Sequence, residues 1–278
     1  MARILVTGAT GTVGRKLVDN LLGRGERVVA ASRRATAIPG AEARRFDPTG
    51  GEPLSRLFQD VDRAYLMVPS GIVEVLDHLM PLIDAAKAAG VKVVLQSVFG
   101  VDASDEIPYR KAEIALEQSG LPHVILRPNW FADNFQTYWR DDIRAGTLAV
   151  PAADGASSFI DTRDIAASAA AALTSDRFDG RAFNLTGPRA VTYAEAAAIL
   201  SEVGGRPVRY TPLSDEEFIA RLTGAGVPPE YAEFLAAIFH PVREGWTGVV
   251  TPDVNTLTGH DPIPLETYAK DNRAAIFG

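Results

Sequence analysis

The sequence predicts an α/β fold: a mostly parallel, doubly wound sheet with a smaller α-rich C-terminal part. Three observations carry that expectation. Short apolar runs alternate with amphipathic stretches through the first two-thirds of the chain, as strands buried on both faces and the helices covering them must. A glycine-rich turn, Gly8-Ala9-Thr10-Gly11-Thr12-Val13-Gly14, separates the first apolar run from the first amphipathic stretch. Gly90 and Gly120 each fall between an amphipathic stretch and the next apolar run, where a left-handed residue ends a helix.

In chain order, strands are expected at 4–7, 28–32, 43–46, 64–68, 91–97 and 124–126, with helices near 12–23, 52–59, 73–89 and 108–119. Beyond Pro128 the rhythm changes. Residues 129–144 read as one helix, with Phe131, Phe135 and Tyr138 on an apolar face. A short strand at 159–160, a helix over 162–174 and a strand over 182–186 follow. Thr192 with Glu195 and Ser214 with Glu217 form capping boxes that open two later helices. Residues 207–212 read as an extra strand, and prolines at 228, 229, 241, 252, 262 and 264 joint a mainly helical last third.

Composition narrows the function. The chain has 278 residues, a net charge of −7 and no cysteine. Lack of cysteine excludes disulfides, thiolate catalysis and cysteine-ligated zinc. No apolar run approaches the roughly 18 residues of a membrane span, and the N-terminus passes straight into a strand without room for a signal peptide. A cytoplasmic protein with neither nucleic-acid nor membrane partners is expected, and a homodimer is compatible with the sequence. Residues 1–47 nevertheless carry nine basic against four acidic side chains. Such a local positive field suits a phosphate-bearing small molecule.

The glycine turn names that molecule's class. Gly8 permits a tight turn out of the strand, Gly11 lets backbone approach a pyrophosphate, and Gly14 lets the helix pack on the sheet. The pyrophosphate then meets free N–H groups at the helix N-terminus, lined by Thr10, Thr12 and Val13. This is the dinucleotide-binding fingerprint of a Rossmann-type sheet. Residues 1–150 are assigned to it, with a return segment at 157–190, and 151–278 to the smaller substrate-binding part. The second strand ends Ala31-Ser32-Arg33-Arg34 without an acid. Arg33 is placed to fork onto a 2′-phosphate, with Ser32 and Arg34 beside it, so NADPH is preferred over NADH. Asp47 is placed either for the adenine amino group or as a turn residue before Pro48. Val68, Pro69 and Ser97 end later strands and should border the nicotinamide half.

The turn resembles that of the atypical short-chain dehydrogenases. Lys111-Ala112-Glu113, Ser119-Gly120-Leu121-Pro122 and Leu126-Arg127-Pro128-Asn129-Trp130-Phe131-Ala132-Asp133-Asn134 resemble their NmrA-like branch. Asp161-Thr162-Arg163-Asp164-Ile165-Ala166 and Leu257-Thr258-Gly259-His260 do so as well. The resemblance implies an NADP-preferring Rossmann domain with a small substrate domain, and cofactor contacts at the turn, Arg33, Asp47 and Lys111. That branch includes quinone, azo-dye and triphenylmethane reductases, plant reductases and non-catalytic cofactor sensors.

The better-known short-chain dehydrogenases pair a tyrosine with a lysine four residues later. Here Ser97 and Tyr109 are suitably separated, but Glu113 stands four beyond Tyr109, and Lys111 only two. At about 100° per residue, Lys111 points away from Tyr109. Lys111 remains the catalytic candidate, positioned to neutralise a developing oxyanion; Phe131 and Phe135 are substrate-pocket candidates. The four histidines show no metal-ligand spacing. The expectation is an NADPH-dependent oxidoreductase acting on a planar aromatic or quinoid acceptor such as a quinone or azo compound. A non-catalytic NADP(H) sensor is the first alternative, an NAD-dependent epimerase-like isomerase the second.

Overall fold

The computed structural model describes residues 1–50 and 53–278. In chain order its strands are β1 (Arg3–Val6), β2 (Arg27–Ser32), β3 (Glu42–Arg45), β4 (Arg63–Leu66), β5 (Lys92–Gln96), β6 (His123–Pro128), β7 (Thr147–Val150), β8 (Ala156–Ser157), β9 (Arg181–Leu185), β10 (Val191–Thr192) and β11 (Arg209–Pro212). The helices used below are α1 (Thr12–Gly23), α2 (Leu54–Leu57), α3 (Val75–Ala89), α4 (Pro108–Gln118), α5 (Arg140–Arg144), α6 (Thr162–Leu173) and α7 (Tyr193–Gly204). The expected helix start at residue 52 lies outside the described residues.

The chain divides into two compact units. The first comprises Met1–Pro128, Thr162–Leu185 and Asp253–His260; the second Asn129–Asp161, Thr186–Pro252 and Asp261–Gly278.

In the first unit seven parallel strands lie in the order β3-β2-β1-β4-β5-β6-β9. The chain builds outward from β1 to β3, then crosses back to lay β4 on the other side of β1. That reversal is a topological switch, and in open parallel sheets ligands bind outside the strand C-termini at such a point. α1 buries Val13, Leu17, Val18 and Leu21, a 3–4-residue spacing that presents one apolar stripe. α3 does the same with Val75, Leu79, Leu82 and Ile83, and ends at Gly90 in the left-handed conformation, φ 67°. A helix-ending left-handed residue costs least when it has no Cβ.

The second unit pairs β7 with β11 in parallel and β8 with β10 antiparallel. Its core is aromatic: Phe135, Trp139, Phe159, Tyr193, Phe218 and Phe239 pack together. Both capping boxes form, Thr192 with Glu195 and Ser214 with Glu217. One expected element is not continuous. Residues 129–144 form a 3-10 turn, Ala132–Gln136, and then the short α5. Residues 130–132 are drawn into extended pairing instead: Ile160 N–H donates to Trp130 O at 2.9 Å and Ala132 N–H to Ile160 O at 2.8 Å. The expected strand at 159–160 is accordingly a single bridge between Phe131 and Ile160. Phe135 stays buried, while Tyr138 is 69% exposed rather than on the apolar face.

Candidate functional site

The end of β1 is locked before the chain turns. Thr7 donates to Tyr65 O from its backbone N–H at 3.1 Å and its hydroxyl at 2.9 Å. Gly8 then takes φ +63°, and Gly11 N–H closes the turn on Gly8 O at 2.8 Å. The closest approach is at Gly14, where a Cβ would stand 2.2 Å from Gly8 O and 2.8 Å from Gly8 C. Both obstacles are backbone, so only glycine brings α1 this near β1. Gly11 is the N-cap of α1; no side chain caps it, and the first turn holds no acid. Thr10, Gly11 and Thr12 are exposed. The opening of α1 therefore presents first-turn N–H groups without a side-chain cap at the positive end of the helix dipole, the kind of place where anions bind.

β2 delivers the next group. Ala9 N–H donates to Ala31 O at 3.1 Å, tying the glycine turn to the end of that strand. Ser32 is buried, and its hydroxyl accepts from Thr36 N–H at 3.1 Å. Arg33 and Arg34 are exposed just beyond. Asp47 forms a tight turn, its Oδ1 accepting from Thr49 N–H at 3.1 Å and from the Thr49 hydroxyl at 2.9 Å. Those bonds, with nearby Arg33 and Arg45, hold its carboxyl below the usual carboxylate range. The turn geometry is therefore present, and among the described residues both of these bonds fall on the same Asp47 oxygen, Oδ1. Val68 is buried and Pro69 half-buried after β4.

At the end of β5, Ser97 is 2% exposed and its hydroxyl has no hydrogen-bond partner among the described residues. A buried, unanswered hydroxyl is costly; at the C-terminal edge of a parallel sheet it is suited to a ligand atom. These two features, a backbone cradle closed to any Cβ and an orphaned hydroxyl at the same sheet edge, fit a dinucleotide.

α4 explains the missing lysine. Tyr109, Ala112, Glu113 and Leu116 turn inward. Burial pushes the Tyr109 phenol up to about 12, poorly matched to proton donation near neutrality. Glu113 is fully buried and clamps Arg127 of β6 in two bonds: Nε to Oε1 at 2.9 Å and Nη2 to Oε2 at 2.6 Å. The residue four beyond Tyr109 is thus an acid, and it is already occupied by Arg127. Lys111 points to the exposed side, its ammonium 2.7 Å from Glu106. The Glu113–Arg127 pair was not legible in sequence, because its members lie 14 residues apart on different elements. Glu113 at the lysine position was the only signal.

In the second unit Phe131 is half-buried and Phe135 fully buried. Phe135 contacts the rings of Trp139 and Phe159, each with centroids 5.1 Å away. Asn129 is a hub that sequence reasoning missed: its amide donates to Ser158 Oγ at 2.7 Å and Thr247 O at 2.8 Å, and accepts from Trp130 N–H at 2.8 Å.

The basic excess of residues 1–47 does not converge on one site. Arg3 and Arg27 begin β1 and β2, at the sheet edge opposite the glycine turn. Arg3 pairs with Glu42, and Arg15 with Asp19 at 3.2 Å; Arg44 pairs with Glu42 at 2.7 Å. An open hollow of about 860 Å³ at that opposite edge is lined by Arg3, Arg27, Arg56 and Asp60. Parallel strands send their first residues to one edge and their last to the other, which splits the charge.

The chain is similar to known proteins over nearly its whole length. The NmrA-like family matches residues 1–249. Prestalk A differentiation protein A of Dictyostelium discoideum is 31% identical, over 99% of this chain and 94% of its own. An NAD(P)H azoreductase of Xenophilus azovorans is 31% identical, over 99% of each chain. The crystal structure of an Escherichia coli NADPH-dependent quinone oxidoreductase with NADPH superposes with a TM-score of 0.85 at 26% identity, covering 96% of this chain and 99% of that one. This chain belongs to the NmrA-like family.

Proposed function

We propose that this chain, an NAD(P)H-dependent oxidoreductase, uses NADPH to reduce a planar, electron-poor acceptor such as a quinone or azo compound. The observation that carries the reading is the glycine cradle at the opening of α1, with Arg33 exposed at the end of the neighbouring strand. The first-turn N–H groups of α1 would take the diphosphate, with Gly8, Thr10, Gly11, Thr12, Val13 and Gly14 around it. Arg33 would fork onto the 2′-phosphate, flanked by Ser32 and Arg34. Asp47 would face the adenine, Val68 and Pro69 would line the middle of the site, and Ser97 would donate at the nicotinamide end. Bound NADPH supplies a hydride.

The acceptor class follows from what α4 lacks. Tyr109 is held as a weak acid, and Glu113 is committed to Arg127. A poorly electrophilic ketone needs a dedicated proton donor. A quinone does not: after hydride transfer the phenolate takes its proton from water, so positioning supplies most of the rate. Of the side chains singled out for catalysis and substrate, Lys111 is exposed and paired with Glu106, Phe135 is fully buried against Trp139 and Phe159, and half-buried Phe131 alone keeps surface for an acceptor. Among the described residues no helix is long and apolar enough to cross a membrane.

Stopped-flow oxidation of NADPH against benzoquinones, azo dyes and aliphatic aldehydes tests the reading. Turnover with quinones or azo dyes and none with aldehydes is expected. Tight NADPH binding without turnover across the panel would instead favour a cofactor-sensing protein.

A further inference from the structure

We propose that Asp102, acting through Arg127, is a positioning residue for the nicotinamide end of the cofactor site. The inference rests on the reading of Ser97 as a cofactor contact.

Ser97 begins the loop between β5 and α4. Its N–H is held by Leu126 O at 2.8 Å, and Phe99 N–H by Pro128 O at 3.1 Å. Beyond Phe99 the backbone bonds are local, Ala103 to Gly100 and Ile107 to Ser104. The loop is tied back to the sheet by a side chain. Asp102, in the 3-10 turn Val101–Ala103, accepts from Arg127 Nη1 at 2.5 Å. Arg127 is 6% exposed and Glu113 fully buried, so their geometry is held by packing as well as charge. The chain of alternating charge continues from Glu113 to Arg110 at 3.0 Å, and from Arg110 to Glu117 at 2.8 Å and Asp105 at 3.3 Å.

The network thus grips the loop at Asp102 and again at Asp105, while anchoring on β6 and α4. Such an arrangement pre-sets where the start of the loop lies. Among the described residues of the loop, the buried side-chain polar atom without a hydrogen-bond partner is the Ser97 hydroxyl. A hydroxyl fixed in advance loses less freedom on meeting its ligand than one on a loose loop. Asp102 is itself 46% exposed, so its removal leaves the buried Glu113–Arg127 pair in place.

The test compares two ligands: NADPH, and 2′,5′-ADP, which has the 2′-phosphate but no nicotinamide. Dissociation constants are measured for Ser97→Ala, Asp102→Ala, the double variant and the shape-preserving Asp102→Asn. Loss of one well-placed hydrogen bond weakens NADPH by about tenfold. We expect that loss in Ser97→Ala and Asp102→Ala, a smaller one in Asp102→Asn, and 2′,5′-ADP changed by less than about twofold. In the double variant the loss should stay near that of one single variant, since both changes remove the same contact. Unchanged NADPH affinity in both Asp102 variants, with Ser97→Ala weakened, overturns the inference and leaves the Ser97 reading standing. Unchanged affinity in Ser97→Ala removes both. Parallel loss of 2′,5′-ADP, or fully multiplicative losses in the double variant, overturns the positioning role.

Discussion

Arg33 carries no hydrogen bond or ion pair among the described residues, and it stands exposed where β2 ends. An exposed guanidinium whose one noted interaction is a screened attraction to the exposed Asp47 turn can be replaced at little cost to the fold. Arg33→Asp should therefore melt within about two degrees of the parent, as surface changes away from special features do. Its effect should fall on the cofactor. Losing a charge-assisted fork costs about 1.5–3 kcal/mol, so NADPH affinity should drop by about tenfold or more, while NADH changes by less than about threefold. Equal losses in a side-by-side titration would refute the phosphate contact. Gly14 presents the opposite case. Its missing Cβ is a requirement of the fold, since the obstacles at 2.2 and 2.8 Å are backbone atoms of Gly8. Gly14→Ala should destabilise by at least about 1–3 kcal/mol through overpacking and abolish binding of both dinucleotides, measured by denaturant unfolding and titration.

At the scale of elements, α4 shows how one helix can keep its place while changing its chemistry. The buried face, Ala112, Glu113 and Leu116, is what a helix on a sheet needs, except that one member is charged. Glu113→Ala would leave Arg127 buried with only the half-exposed Asp102 for a partner. Breaking a buried pair in this way costs about 3–5 kcal/mol, to be read by urea unfolding; a cost below about 1 kcal/mol would mean that water reaches the guanidinium freely. The segment after β6 teaches the complementary lesson. Phe131, Phe135 and Tyr138 have helical spacing, yet pairing with Ile160 draws residues 130–132 into extended backbone before a helix can begin. Periodicity reports which side chains want burial; it does not report a competing backbone partner elsewhere in the chain.

For the whole molecule, acid should be the informative stress. Burial lowers the affinity of the His78 imidazole for a proton, against the pull of the Met67 and Pro48 carbonyls. The unfolded chain binds a proton there near about pH 6.5, and the folded chain resists it. This contribution is present above that pH and is lost as pH falls through the depressed folded value. Asp47, Glu195 and Glu266, also held low, extend the decline below about pH 4. Thermal midpoints should therefore fall between about pH 7 and pH 5, and His78→Gln should flatten that part of the slope. An unchanged slope in the variant would remove His78 as its source.

Sequence alone determined the parallel sheet, its helices and the glycine turn. Those features are local: a 2- or 3.6-residue period, a strand–turn–helix spacing, and a capping box such as Thr192 with Glu195 each lie within a dozen residues. It also carried the Arg33 ending of β2 and the glutamate four residues beyond Tyr109. Only the tertiary structure decided what that glutamate does, which arginines face which sheet edge, and that the Ser97 hydroxyl goes unanswered. Each of these depends on residues far apart in the chain meeting in space, and distance along the chain carries no record of such meetings.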